Sequence, residues 1–191
     1  KSKTTSFFVD VVDYSKINCK YADDAFSNFI DNHYFPALVR LLHPICIPEK
    51  SEGDLIYLII VGDFIEDNKY EASVLTAIEN LNRFILIEGK SLCQKFGFEP
   101  VRVSVGICSG ISNITVDEYS FRSSGDSVNY AKRLQDCCSP NAFIVDREVN
   151  AIFNKRYPNL EADEVLVLSK KDFLRSYKRD LFTTPESVED E

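Results

Sequence analysis

Three short apolar runs, separated by longer segments of helical periodicity, most constrain how this chain can fold. Segments 23–42 and 70–96 repeat apolar residues every three or four positions, which predicts helices. The runs between and around them have the apolar character of buried strands, and in chain order they are SFFVDVVD at 6–13, DLIYLIIV at 54–61 and VRVSVGIC at 101–108. A short polar turn that contains Gly53 links an extended piece at 45–48 to the second run, which predicts a β-hairpin.

The remainder of the chain continues this alternation of strands and helices. Predicted elements are a strand at 114–121, a helix from Gly125 to about Cys137, a strand at 142–145, a helix at 147–153 and a final strand at 165–168. Such an order indicates an α/β sandwich of the α+β type, in which helices cover a mainly antiparallel sheet. We therefore expect one domain over residues 1–182, followed by an acidic tail, 183–191, whose composition predicts disorder.

Composition excludes several classes of function. With a net charge of −8 over 191 residues and no basic block, the chain is a poor candidate for binding nucleic acid, which requires neutralisation of phosphates. No apolar stretch reaches the ~18 residues of a membrane span, so we expect no membrane association. The six cysteines form no CxxC pair and only two histidines are present, which argues against a zinc site. The absence of a signal-peptide pattern favours a reducing cytoplasm.

Two carboxylates interrupt the apolar strand runs. Asp10 lies in the middle of the first run and Asp54 begins the second, directly after Gly53. A carboxylate in such a run needs a compensating partner. Each alone is equally well explained as a solvated strand end or a helix cap, but together they can clamp one or two hard divalent cations.

A third feature lies in GDSVNYAKRL, residues 125–134. Asn129 and Arg133 are four positions apart and therefore share one face of the predicted helix. That arrangement places a fixed cation beside an amide able to hydrogen-bond a sugar. On an isolated helix the same pair is more often a solvated face, so its meaning depends on the other motifs.

FFVDVVDYS, KSEGD, VRVSVGICSG and GDSVNYAKRL, in that order, resemble the catalytic domain of class III nucleotide cyclases, which has a ferredoxin-like fold. The resemblance implies that Asp10, Asp54 and the backbone carbonyl of Val11 hold two Mg²⁺ or Mn²⁺ ions. It further implies that Asn129 orients the ribose and that Arg133 stabilises charge on the α-phosphate. Because this family works as head-to-tail dimers with shared sites, and this chain carries both halves of the residue set, the resemblance implies a symmetric homodimer.

The positions that read the base in this family depart from the purine pattern. Lys50, four residues before Asp54, matches the adenylate cyclase lysine, but Arg122 stands seven residues before Asn129, where those enzymes carry Asp. Two donors favour a base rich in carbonyl acceptors, in the order uracil, guanine, adenine. This pattern resembles the Pycsar pyrimidine cyclases of bacterial antiphage defence, which implies UTP as substrate, cyclic UMP as product and a separate effector protein. A cytidylate cyclase, a purine cyclase and an inert nucleotide-binding module remain as alternatives.

Two further residues bear on the triphosphate. Asp13 occupies a turn position where the family commonly has Gly, and a third carboxylate there would repel a triphosphate unless it points away or assists the metals. The family also places a phosphate-binding lysine near the C-terminal strand. Lys178 is the candidate, although a solvated surface lysine is an equally good interpretation.

Overall fold

The computed structural model describes residues 1–118, 120–168 and 173–181, in which eight strands form one sheet. The predicted disordered tail, 183–191, lies outside the described residues. The strands are β1 (Ser2–Val11), β2 (Ile47–Glu52), β3 (Leu55–Val61), β4 (Val103–Val116), β5 (Phe121–Ser124), β6 (Ala142–Asp146), β7 (Asp163–Leu168) and β8 (Phe173–Asp180).

The sheet has the strand order β2-β3-β1-β4-β6-β8-β7, and β5 pairs with the outer part of β4. Every adjacent pair is antiparallel except β4 and β6, which run parallel. The mainly antiparallel sheet expected from the sequence is thereby confirmed. In the register of β1, Asp10 lies opposite Leu55 of β3 on one side and Ser104 of β4 on the other.

Helices cover the two faces of the sheet unequally. The helices are α1 (Tyr14–Asn18), α2 (Ala25–Phe29), α3 (Phe35–Leu42), α4 (Tyr70–Arg83), α5 (Gly89–Lys95), α6 (Asp126–Asp136) and α7 (Arg147–Arg156). On one face, Phe7 and Val9 of β1 join the main hydrophobic core with side chains from α2 to α5 and α7. On the other face, Phe8 joins a smaller cluster with Ala131 and Leu134 of α6. Because side chains alternate along a strand, Asp10 belongs to the α6 face.

The two long predicted helices each contain a π-helical turn. Ile30–Tyr34 joins α2 to α3, and Phe84–Glu88 joins α4 to α5. Pro36, which lacks the N–H that continues a helix, lies in the first turn of α3, directly after the π-helical turn Ile30–Tyr34. Among the described residues, no helix combines the length and apolar character needed to cross a bilayer.

The largest differences from the sequence prediction concern β4, β5 and β8. β4 continues to Val116 without a break, so the first three residues of the strand predicted at 114–121 belong to it, and β5 begins only at Phe121. β8 was not predicted at all. Its sequence, FLRSYKRD, carries three cations and has no apolar alternation of the kind that marks a strand.

Helix α6 lies directly on the backbone of β4. A Cβ atom added to Gly106 would stand only 2.1 Å from the Ala131 carbonyl oxygen and 2.3 Å from the Gln135 nitrogen. At Gly110, a Cβ would come within 3.0 Å of the Ser127 Cβ. Because these two glycines are four residues apart in a strand, both open the α6 face, and the helix fills the space that side chains would occupy.

We predict that Gly106→Ala destabilises the protein by about 3 kcal/mol, since the added methyl group meets helix backbone that cannot rotate away. Gly110→Ala is the matched control and should cost less, because its closest neighbour is a side-chain carbon at 3.0 Å. Urea unfolding of the two variants and the wild type measures the free-energy differences. Equal costs at both positions would contradict the proposed helix contact.

Candidate active site

Asp10 and Asp54 come together because of strand pairing. The register places Asp10 opposite Leu55, the residue after Asp54, and the Val11 N–H donates to the Asp54 carbonyl oxygen at 2.8 Å. Asp54 lies in the turn between β2 and β3, next to the end of β1 where Asp10 lies. The structure thus brings together the two carboxylates that the sequence pattern predicted as a pair.

The environment of Asp10 disfavours the ionised form of its carboxyl group. Burial, and then the nearby carboxylate of Asp54, raise the pKa of Asp10 to about 6. The positive charge of Lys132 acts in the opposite direction, while Asp136 adds to the increase. Two carboxylates held in this way, with only partial compensation, form a site that favours an added cation.

The donor atoms at this site suit a hard divalent cation. Within the described part of the chain, no group of three or more His, Cys, Asp or Glu side chains is arranged to hold a metal. Asp10 and Asp54 would therefore share an ion with oxygen atoms from the backbone, from water or from a substrate. Mg²⁺ is commonly bound in this manner, by one or two carboxylates together with substrate phosphates. Val11, whose carbonyl is the predicted backbone ligand, follows Asp10 in the chain, and its N–H donates to the Asp54 carbonyl oxygen. Val11 is therefore next to both carboxylate residues.

Helix α6 is fixed at both ends by buried hydrogen bonds. Near its start, Ser127 Oγ lies 2.6 Å from Ser112 Oγ, which accepts from the Thr4 hydroxyl at 2.9 Å. Near its end, the side-chain amide of Gln135 donates to Ser104 Oγ at 2.9 Å, and Ser104 is the strand partner of Asp10. The helix that carries the predicted Asn129 and Arg133 is thereby held in a defined position on the sheet.

Asn129 is exposed and Arg133 is half-buried on α6. Among the described residues, no hydrogen bond or ion pair joins either of them to Asp10 or Asp54. The α6 residue that compensates Asp10 is instead Lys132, which also donates to Gln135 and to Asp136, each at 2.6 Å. A single chain therefore does not gather all the predicted catalytic residues into one set of contacts.

The two predicted base-reading residues lie on strands that meet. Lys50 is exposed on β2 and pairs with Glu52, while Arg122 is exposed on β5. Their sequence neighbours join these strands, because the Glu49 carboxylate accepts from the Ser123 N–H at 3.0 Å and from the Ser123 hydroxyl at 2.5 Å. The structure thus brings the neighbourhoods of Lys50 and Arg122 together.

Asp13 has the backbone conformation expected of a turn glycine. Its φ of 59° lies in the left-handed region, which Asp tolerates better than most residues. Lys16 donates to one carboxylate oxygen and Arg102 to the other, both at 2.7 Å. The hydrogen bond from Lys16 lowers the pKa of Asp13 below its usual value. Lys16 and Arg102 therefore compensate the negative charge of Asp13, which by itself would repel a triphosphate.

Lys178 lies away from the acidic pair in the same chain. It pairs with Ile144 and Asp163 in the interior of β8, and the strands β4 and β6 separate β8 from β1. Its positive charge acts on Cys138, at the end of α6. Within one chain, Lys178 is therefore too far along the sheet to contact a triphosphate bound at Asp10 and Asp54.

Three residues of this region, Lys132, Gln135 and Glu49, were missed by the sequence prediction. Lys132 and Gln135 act on Asp10 and its partner strand only because α6 packs on β4 and β1, and their spacing on the helix carries no signal of this. Glu49 reaches Ser123 because β2 shifts register between Pro48 and Lys50. An acidic residue beside the candidate Lys50 was the one available hint.

Comparison with solved structures identifies the fold. No protein-family model and no curated protein sequence matches this chain. The guanylyl cyclase Cya2 aligns with a TM-score of 0.77 at 14% identity, covering 98% of this chain and 95% of that chain. The adenylyl cyclase CyaB from P. aeruginosa aligns with a TM-score of 0.76 at 14% identity, covering 98% and 97%. The chain has the class III nucleotide cyclase fold.

A third solved structure extends this likeness. The guanylate cyclase domain of RhGC from Catenaria anguillulae, in complex with GTP, aligns with a TM-score of 0.73 at 13% identity, covering 95% of this chain and 98% of that chain. At such low identity the alignment is evidence of fold alone. Within the class III cyclase fold, the roles of individual residues in this chain rest on its own geometry.

We predict that Asp10→Asn stabilises the metal-free protein at pH 8 by about 1 kcal/mol, a figure reduced from the full effect because Asp10 is only half-buried. The folded-state pKa of about 6 exceeds the ordinary value of 3.8, so the folded state binds this proton more tightly than the unfolded state does. The stability contributed by Asp10 is therefore present below pH 3.8 and is lost as the pH rises through 6. Urea unfolding between pH 3.5 and 8, without divalent metal, measures the difference.

Asp13→Asn is the matched control with the opposite sign. Because the pKa of Asp13 is lowered in the folded state, its stabilising effect is present at neutral pH and is lost on acidification. Asp13→Asn should therefore destabilise the protein at pH 8. Stabilisation by both substitutions would mean that general repulsion in an acidic chain, rather than the environment of Asp10, is responsible.

Proposed function

We propose that this chain is a metal-dependent nucleotide cyclase that converts UTP to 3′,5′-cyclic UMP and pyrophosphate, as a second messenger in antiphage defence that a separate effector reads. The observation that carries the proposal is the pair of carboxylates, Asp10 and Asp54, placed together on a class III cyclase fold. The raised pKa of Asp10 supports a site built to receive a cation.

The reaction forms a bond between the ribose 3′-oxygen and the α-phosphorus. It breaks the bond between that phosphorus and the oxygen that bridges the α- and β-phosphates. The 3′-hydroxyl loses its proton, and pyrophosphate leaves with the electron pair. Two Mg²⁺ or Mn²⁺ ions, when bound, would lower the pKa of this hydroxyl and neutralise the leaving group. The chain contributes Asp10, Asp54 and the Val11 carbonyl to hold them, so that positioning provides much of the rate.

Asn129 would orient the ribose and Arg133 would stabilise charge on the α-phosphate during transfer. Both are accessible on α6, and among the described residues neither is bound to an acidic partner. Since they do not contact Asp10 or Asp54 of their own chain, we propose a homodimer in which each site combines the carboxylates of one chain with α6 of the other. Lys178 is kept as a proposed phosphate-binding residue.

Uracil is the proposed base because Lys50 and Arg122 are both donors, whereas uracil presents two carbonyl acceptors. A purine cyclase is the second candidate, since the similar solved structures include adenylyl and guanylyl cyclases and one of them holds GTP.

The decisive experiment incubates the purified protein with each of the four ribonucleoside triphosphates and Mn²⁺, and identifies products by mass. We expect cyclic UMP and pyrophosphate from UTP. Cyclic AMP or cyclic GMP alone would favour the purine candidate. Absence of every cyclic product and of pyrophosphate would favour an inert nucleotide-binding module.

Asp54→Ala should abolish turnover, because the site then retains one carboxylate for a divalent cation. Glu66→Ala removes an exposed carboxylate that pairs with Lys69 before α4, and it serves as the control with wild-type activity. Size-exclusion chromatography with light scattering should give the same oligomeric state for both variants. Wild-type turnover by Asp54→Ala would exclude this carboxylate from the metal site.

Arg122→Asp should lower kcat/KM for UTP by about 10- to 100-fold, because a carboxylate cannot donate to a uracil carbonyl. As Arg122 is exposed, the free energy of unfolding should change by no more than about 0.5 kcal/mol. Lys95→Asp, at an exposed position after the second π turn, controls for the change in net charge. A variant that keeps the wild-type preference among the four triphosphates would show that Arg122 does not read the base.

A further inference from the structure

A relay of hydrogen bonds fixes the Lys132 ammonium group relative to Asp10. The ammonium group donates to the side-chain oxygen of Gln135 and to the carboxylate of Asp136, each at 2.6 Å. The amide nitrogen of Gln135 in turn donates to Ser104 Oγ at 2.9 Å. Ser104 lies directly opposite Asp10 in the pairing of β1 with β4. The relay therefore holds a cation at a defined place near the end of β1 that carries Asp10.

Burial makes this relay rigid while leaving its charged end open. Gln135 and Ser104 are both buried. A different rotamer of Gln135 would break its bond to the Ser104 hydroxyl, which costs free energy at a buried position. Lys132 itself is only half-buried. Its charge can therefore act on an ion that enters from solvent, from a position that the sheet determines.

The charges that act on Asp10 also act on any ion bound to it. Asp54 and Asp136 raise the pKa of Asp10, whereas the positive charge of Lys132 lowers it. Such interactions between partly buried charges are screened less than those on an open surface. A divalent cation bound by Asp10 and Asp54 is therefore attracted by Asp136 and repelled by Lys132.

Helix stability alone does not explain the pair of Lys132 and Asp136. The two residues are four apart on α6, with the lysine nearer the N-terminus, which is the less favourable order for such a pair. Asp136 is the last residue of α6, where the helix dipole disfavours a negative charge. Both charges are thus poorly placed for the helix, although both act on Asp10.

We infer that Lys132 is a built-in counter-cation of the metal site. It offsets the repulsion between Asp10 and Asp54 when no metal is bound, and it lowers their affinity for a divalent cation. This inference rests on the metal site of the proposed function and deepens it. The alternative is that Lys132 serves only the helix, in which case metal affinity does not respond to its charge.

The test measures binding of Mn²⁺ to the full chain without nucleotide, from the electron paramagnetic resonance signal of free Mn²⁺ at pH 8 and low ionic strength. At this pH few protons compete for Asp10, whose pKa is about 6. We expect Lys132→Gln to bind Mn²⁺ about 3- to 10-fold more tightly than the wild type, because a repelling charge is removed. Added salt should reduce this difference. Lys132→Arg keeps the charge and should stay within about 2-fold of the wild type.

Asp136→Asn is the matched variant with the opposite sign. It breaks the same ion pair as Lys132→Gln but removes a negative charge, so it should bind Mn²⁺ about 3- to 10-fold more weakly than the wild type. Lys69→Gln breaks an exposed pair with Glu66 before α4 and changes the net charge as Lys132→Gln does. It should leave the affinity for Mn²⁺ unchanged.

The outcomes separate this inference from the function on which it rests. Equal or absent shifts in Lys132→Gln and Asp136→Asn would overturn the role of Lys132 and leave the metal site in place. Wild-type affinity in Asp54→Ala, or no binding by the wild type at millimolar Mn²⁺, would overturn both. Opposite shifts without any cyclic product would support the role of Lys132 and contradict cyclase activity. If Lys132→Gln does not fold, Asp136→Asn decides, since unchanged or tighter binding contradicts the inference.

Discussion

The direct contact between helix α6 and strand β4 at Gly106 is the constraint on which the rest of this structure depends. Glycine ordinarily weakens a strand, but here the absent side chain allows helix backbone to lie against strand backbone. Buried hydrogen bonds at Ser127 and Gln135 then fix the two ends of the helix. As a result, α6 is held in place on the sheet with Asn129 and Arg133 accessible on its surface. Lys132 of the same helix lies close enough to Asp10 for its positive charge to lower the pKa of that carboxyl group.

The carboxylate pair carries an electrostatic cost to stability. Burial of Asp10 beside Asp54 disfavours the ionised form, and Lys132 compensates only in part because it also pairs with Asp136. A fold optimised for stability alone would place a neutral residue there. Proteins commonly tolerate such local cost at the positions where they bind charged ligands. Asp13, by contrast, is fully compensated by Lys16 and Arg102 and carries no comparable cost.

Sequence periodicity located most elements, because the main core is built from strands and helices that bury a continuous apolar face. It failed for β8, whose cationic residues in part face other elements. Arg179, for example, is buried against Asn150 and the ring of Phe153. The resemblance to class III cyclases nominated Lys178 as a phosphate-binding candidate, whereas the sheet order separates this residue from Asp10 within one chain. Contacts across the sheet depend on strand order, and periodicity along one segment carries no information about that order.

The sequence by itself determined which residue types are available, namely the carboxylates Asp10 and Asp54, Asn129 and Arg133 on one helix, and the two donors Lys50 and Arg122. Motif order and spacing suffice for this, since local pattern places each residue on a strand, turn or helix. Only the tertiary structure decided which of these groups meet. The register of β1 and β3 joined the two carboxylates, and the bulge in β2 placed Glu49 on Ser123 of β5. Both results depend on pairing between distant segments, where a shift of a single residue turns a side chain to the opposite face.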